Sequence, residues 1–283
     1  AYKAHYSGMI VAILSTVGID HATPASFYAH NVYRGNYAEI SSEVGATGFE
    51  FFGGGDFIGG EDWIAPAEEA GYTFAFGKND YNEKKAAEKL IYFQRKDYDK
   101  SRTEVVDYVT KHRDNNPDDI CLADLVEAAV NHLDNPNVFV IIAEGSKIDY
   151  AAHANSLDGL IFETIDLSDA VAVALDFYKK HPKNTLIVVT ADHETGGPSC
   201  KSPNLGNIRE TLKPLDKTSA NYLNDEHEAA EETSEYGIAW TTKGHSGERV
   251  PIFAIGAGSE KFAGSMENID IPLKICEAMG IEF

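Results

Sequence analysis

The sequence predicts an α/β protein, a layered αβα fold on a mainly parallel sheet. Three observations predict it. Short aliphatic and β-branched runs recur along the chain and stop at Gly, Asp or Glu: "GMIVAILSTV", "NVFVIIAEG", "TLIVVTAD" and "VPIFAIGAG". Stretches of helical periodicity lie between them. The residues best suited to chemistry collect where the apolar runs stop, and in open parallel sheets the carboxyl ends of strands are where ligands gather.

The first run, "GMIVAILSTV", is apolar on both faces, as expected of a central parallel strand. A helical pattern follows from Pro24 to Tyr33, with Thr23 placed as N-cap and Pro24 as first helical residue. Further helices are expected at about Asn82 to Lys96 and at Leu122 to Leu133. "NVFVIIAEG" is the next strand, and a long helix from about Ala151 to Lys180 follows it. "TLIVVTAD" and "VPIFAIGAG" read as further central strands, and Ile271 to Met279 as a closing helix. Two segments break the rhythm. Residues 56–119, rich in tyrosine and charge, are expected to cover the sheet edge, and residues 198–240, with "NDEHEAAEETSE", to form a solvated insertion. The expectation is one domain over residues 1–283 carrying those two insertions.

Bulk composition narrows the function. The chain has 283 residues, 43% hydrophobic and 24% charged, with no apolar run long enough to cross a bilayer. A formal charge of −21 argues against nucleic acid and acidic membrane surfaces, both of which are bound through basic patches. A small anion can still bind where metal ions supply positive charge. Cys121, Cys200 and Cys276 are widely spaced and form neither a disulfide framework nor a cysteine zinc motif. The short run "MIVAIL" lacks the features of a signal peptide.

Four strand ends hold the candidate site. In "EGSKIDYAAH", Glu144 closes a strand, and Asp149 and His153 follow at i and i+4, on one face of a starting helix and close enough to share an ion. Alone, such a pair is more often a solvated contact. In "TADHETGG", Asp192 and His193 would point to opposite faces of a regular strand, so joint use requires a turn, which Gly196 and Gly197 permit. An aspartate cap beside a packed histidine is the competing explanation. His245, between glycines in "TTKGHSGERVPIFAIGAG", occupies a loop from which an imidazole can reach a cleft. In "STVGIDHATPASFYAH", helix capping accounts for Thr23 and Pro24 and leaves His21 unexplained. The set offers oxygen and nitrogen ligands and no cysteine, which suits zinc with a harder ion beside it.

These four segments, in this order, resemble the alkaline phosphatases. "ADHETGG" is similar to the family's zinc-binding strand end and "EGSKIDYAAH" to its Glu, Asp and His ligand segment. "GHSGERVPIFAIG" is similar to its late histidine loop and "HATPASFYAHNVYR" to its third-metal segment ending in the catalytic arginine. The resemblance implies that Asp149, His153 and His245 bind one Zn2+, Asp192 and His193 a second, and Glu144 and Thr23 one Mg2+, with His21 beside it where many members have aspartate. It implies that Arg34 clamps two phosphoryl oxygens. Thr23 and Arg34 on one straight helix would stand ~16 Å apart, so the helix must bend or end early, and Gly35 and Asn36 allow it to end. Tyr150 falls at a variable position near the metals.

The reaction implied is metal-dependent hydrolysis of phosphate monoesters through a phosphoserine. The family's nucleophile lies in an Asp-Ser-Ala type segment upstream, and this sequence contains no Asp-Ser pair. The chain is therefore expected to be the later portion of an alkaline phosphatase, with N-terminal strands missing, and inactive alone. Small-molecule phosphate monoesters are the expected partners, a homodimer is compatible with the resemblance, and the resemblance implies a periplasmic or secreted location. Two alternatives remain at this point. A phosphoglycerate mutase or sulfatase relative shares the Asp-His strand end but fits "HATPASFYAH" poorly, and a non-catalytic domain could hold metal and phosphate without turnover.

Overall fold

A computed structural model of the chain describes residues 1–96, 116–134, 138–200 and 238–282. A short helix α1 (Tyr2–Tyr6) leads into the central strand β1 (Ile10–Gly18). The short helices α2 (Ala22–Ala25) and α3 (Tyr37–Ser42) precede β2 (Phe51–Gly55), α4 (Ile64–Glu69), β3 (Tyr72–Phe76), α5 (Gly77–Lys84) and β4 (Lys89–Phe93). The helix α6 (Leu122–Leu133) comes before β5 (Phe139–Glu144), α7 (Lys147–His153) and the long α8 (Leu157–Lys180). Then follow β6 (Leu186–Val189), β7 (Glu194–Thr195), β8 (Ser199–Cys200), β9 (Ile238–Ala239), β10 (His245–Ser246), β11 (Phe253–Gly256) and α9 (Asp270–Met279).

Five strands form one parallel sheet in the order β3-β4-β2-β1-β5. The central strand shows how sequence makes layers. Along β1, Val11 and Ile13 pack with Phe52, Tyr28, Phe74 and Trp63 on one face. The alternate residues Ala12 and Leu14 pack on the other with Leu122, Leu125 and Ala129 of α6 and with Ala170 of α8. Both faces are covered, so the run shows no polar alternation. Asp166 of α8 accepts from the backbone N–H groups of Leu122 and Ala123 at 2.9 and 3.3 Å, which satisfies donors at the start of α6 and ties the two helices together.

The layered fold agrees with expectation, and several elements differ. The segment 56–119 does more than cover the sheet edge, because it supplies β3 and β4, the edge strand and its neighbour on one side of the sheet. The helix expected at Asn82 to Lys96 ends at Lys84, and "KLIYF" is the buried strand β4. "TLIVVTAD" and "VPIFAIGAG" contribute β6 and β11, which pair antiparallel with each other in a separate two-stranded ribbon and not in the central sheet. Of the insertion at 198–240, only its ends lie within the described residues, where β8 and β9 pair antiparallel. Among the described residues, no helix is long and apolar enough to cross a membrane.

Candidate metal and phosphate site

The candidate residues meet beyond the carboxyl ends of β1, β5 and β6. Register starts the site: Ser15 of β1 lies opposite Glu144 of β5, and its hydroxyl donates to Glu144 Oε2 at 2.6 Å. Burial pushes the Glu144 carboxyl above its usual range and nearby Asp192 adds to the rise, while hydrogen bonds from Ser15, Thr23 and Ser146 pull it back. Thr23 thus faces Glu144. It is not the N-cap, which is His21; Pro24 is inside α2 and not its first residue.

Asp149 and His153 share a face of α7, with His153 Nε2 3.4 Å from Asp149 Oδ2. His245 is carried in by the β7–β10 ladder, which pairs it with Thr195. Its Nε2 lies 3.7 Å from Asp149 Oδ1 and 3.2 Å from His153 Nε2. The His193 ring stacks on His245 with centroids 3.5 Å apart, and Asp149, His193 and His245 each bring a ligand atom within 4.8 Å of the others. Asp192 is exposed at the rim, its Oδ2 3.3 Å from His193 Nε2. The structure therefore gathers Asp149, His153, His193 and His245 into one cluster with Asp192 at its edge, and His193 stands with the first set as closely as with its own neighbour.

The donor set fits a metal. His153 Nδ1 lies 2.5 Å from the carbonyl oxygen of Lys243, which can only accept, so Nδ1 carries the proton and Nε2 presents a lone pair toward His245. Two imidazole nitrogens and a carboxylate directed at one point are what Zn2+ takes. Thr195, which the sequence reading passed over, donates to Asp149 Oδ1 at 2.5 Å and lies 3.2 Å from His193 Nδ1. Its only signal was a hydroxyl three residues beyond Asp192. The turn Gly196–Gly197 has φ values of 84° and 57°. A Cβ on Gly196 would meet the Trp240 ring at 2.8 Å and the Ala152 carbonyl at 2.9 Å.

The third segment also places His21 against Arg34. Arg34 Nη2 lies 3.2 Å from His21 Nε2, and the Tyr150 hydroxyl is 3.1 Å from the same atom. Burial first, then the Arg34 charge, lowers the His21 pKa to about 4, against the opposing pull of Asp149. The ring is neutral near pH 7, a guanidinium can only donate, and so Nε2 accepts and Nδ1 holds the proton. In this arrangement His21 Nε2 faces both Arg34 and the Tyr150 hydroxyl, so the ring contributes to the grip on Arg34. Its Nδ1 is buried and finds no hydrogen-bond partner among the described residues. The expected helix to Tyr33 ends at Ala25, the early end that the distance argument required.

The family model for alkaline phosphatase matches residues 54–281. The chain belongs to the alkaline phosphatase family. Alkaline phosphatase 3 of Bacillus subtilis (strain 168) is 28% identical over 331 residues, covering 98% of this chain and 69% of that protein. The solved alkaline phosphatase of the Antarctic bacterium TAB5 superposes with a TM-score of 0.77 at 30% identity, covering 99% of this chain and 75% of that one. A TAB5 alkaline phosphatase variant with aspartate in place of a histidine, solved with Mg bound in its M3 site, matches with the same TM-score at 29% identity. These likenesses make the alkaline phosphatase fold and a phosphatase hydrolase the reading in place of the mutase and sulfatase alternatives.

Proposed function

We propose that this alkaline phosphatase chain binds zinc through Asp149, His153 and His245, a second zinc beside Asp192 and His193, and magnesium at Glu144 and Thr23, to hydrolyse small phosphate monoesters. The convergence of the His153 and His245 Nε2 atoms at 3.2 Å, with His153 Nδ1 tied to a carbonyl, carries this reading. Ions held there would supply positive charge to the phosphoryl oxygens and to the attacking and leaving groups. The protein's own groups set the geometry. Arg34 offers a planar fork of donors to two phosphoryl oxygens. His21 accepts from Nη2 and limits the rotation of that fork. Thr195 orients Asp149, and the Lys243 carbonyl fixes the tautomer of His153. The TAB5 variant in which a carboxylate replaces a histidine and Mg occupies M3 supports a harder ion near the third segment.

The phosphoserine route requires a serine hydroxyl at the metals. The sequence has no Asp-Ser pair, and Ser15, fully buried, is committed to Glu144. We infer that the chain by itself turns over monoesters at a background rate, and that the family's function outside the cytoplasm and a homodimeric state extend to it. The missing pair also favours a second reading, a domain that holds metal and phosphate without catalysis. Hydrolysis of p-nitrophenyl phosphate at alkaline pH with zinc and magnesium tests both. A polypeptide extended by an Asp-Ser-Ala segment should be active and zinc-dependent while this chain alone is not. Equal rates would overturn the serine requirement, and an inactive extended form would favour the non-catalytic reading.

A further inference from the structure

Arg34 is exposed, in a stretch outside helix and strand between α2 and α3. A long cationic side chain there loses about 2 kcal/mol of rotamer entropy if it must be held for a ligand, and a loose loop beneath it adds to that loss. The loop is not loose. Asn36 N–H donates to the Tyr33 carbonyl at 3.1 Å, closing a turn with Arg34 and Gly35 at its centre. A Cβ on Gly35 would meet the Tyr33 ring at 2.6 Å, so the glycine lets that ring lie across the turn.

Side chains lock the turn from below. Asn31 Nδ2 donates to Glu39 Oε2 at 2.7 Å, and Asn36 Nδ2 donates to Asn31 Oδ1 at 2.9 Å and to the same Glu39 oxygen at 3.3 Å. Asn31 Oδ1 also accepts from Tyr33 N–H at 3.1 Å. The two ends of the loop are thus joined through Asn31 to a carboxylate on α3. That helix is anchored in turn: Ser41 donates at 3.0 Å to Asp20, a fully buried carboxylate that also accepts from Gly59 N–H at 2.8 Å and from Ile58 N–H at 3.2 Å. Asp20 is the residue before His21, the acceptor for the Arg34 head group. The arginine is therefore fixed at both ends by a single connected network: its backbone through Asn31, Asn36 and Glu39, and its guanidinium through His21.

We propose that Asn31 and Glu39 are positioning residues for Arg34, holding the Tyr33–Asn36 turn so that the guanidinium is prepaid for phosphate. This rests on the reading of Arg34 as the phosphoryl clamp. Three of the four bonds are exposed and each is individually weak, but Asn31 and Glu39 together take part in all four, tying the loop from Asn31 to Asn36 to α3, and their removal frees the turn as a unit.

The test is inorganic phosphate binding to the zinc-loaded chain by calorimetry. Asn31→Ala and Glu39→Ala should each weaken phosphate binding about fivefold to tenfold. Glu39→Gln keeps an oxygen acceptor for both amides and should stay within about twofold of the parent. In an Arg34→Ala background, Asn31→Ala should have no further effect, because a positioning residue acts only through the group it positions. An Asn31→Ala loss of the same size with and without Arg34 would overturn the proposal and leave an ordinary surface network. If Arg34→Ala weakens phosphate and Asn31→Ala and Glu39→Ala do not, the positioning role falls while the clamp stands. If Arg34→Ala itself leaves phosphate affinity unchanged, both fall.

Discussion

Replacing His153 by alanine separates a zinc site from a chance gathering of polar groups. The substitution removes one Nε2 from the point where Asp149 and His245 also converge, 3.4 and 3.2 Å away. Loss of groups that merely orient a zinc ligand weakens binding about 10- to 100-fold, so loss of a ligand should reach at least the upper end, about 2.7 kcal/mol. The apo protein also changes, since the Lys243 carbonyl loses a partner, at roughly 1 kcal/mol. The zinc-induced increment in melting temperature removes that offset. At a zinc concentration about 100 times the parent's Kd, binding stabilises the parent by about 2.7 kcal/mol and a variant with 100-fold weaker binding by only about 0.4 kcal/mol. At roughly 2–4 °C per kcal/mol for a chain of this size, zinc should raise the parent's Tm by about 5–10 °C and that of His153→Ala by about 1–2 °C. The assay is thermal unfolding with and without zinc, followed by circular dichroism. An equal increment in both proteins would refute the assignment of His153, whatever the apo stabilities.

Two further outcomes follow from the geometry around the cluster. His21→Asp replaces a neutral ring, whose accepting nitrogen is given to Arg34, with a hard carboxylate near Thr23 and Glu144, and should tighten magnesium binding measured by calorimetry; unchanged affinity would place position 21 outside the ion's reach. Gly196→Ala puts a side chain into positive φ against Trp240 and the Ala152 carbonyl, and should cost about 1 kcal/mol or more in Tm-derived stability while loosening zinc, because the turn it distorts directly follows Thr195, which bonds Asp149 and lies beside His193.

Much of the candidate cluster was legible because its residues sit where apolar runs stop, and the stop is itself a sequence feature. Asp149 and His153 were readable from helical spacing, and the early end of α2 from a length argument. What escaped was set by partners distant in sequence. The run "LIVV" is equally apolar in a central sheet or a two-stranded ribbon, and nothing within it says that Phe253–Gly256 will pair antiparallel with it. "KLIYF" follows a helical segment without a breaker, so period alone extended the helix into what burial on both faces makes a strand. His21 was expected beside the third ion, and its contact with Arg34 was not foreseen. That contact depends on a loop thirteen positions on folding back.

The ladder that brings His245 to the cluster also bears on how this chain can change length. Glu194 and Ser246 face each other in β7 and β10 though 52 positions apart. The cost of closing so wide a loop grows only with the logarithm of its length, about 0.6 kcal/mol for each doubling. Residues added or removed between β8 and β9 therefore alter the free energy of bringing His245 home by a fraction of a single hydrogen bond, provided the four-residue ladder at its base is kept. The placing of His245 and the number of residues between β8 and β9 are nearly uncoupled, so that number can change without unseating the histidine.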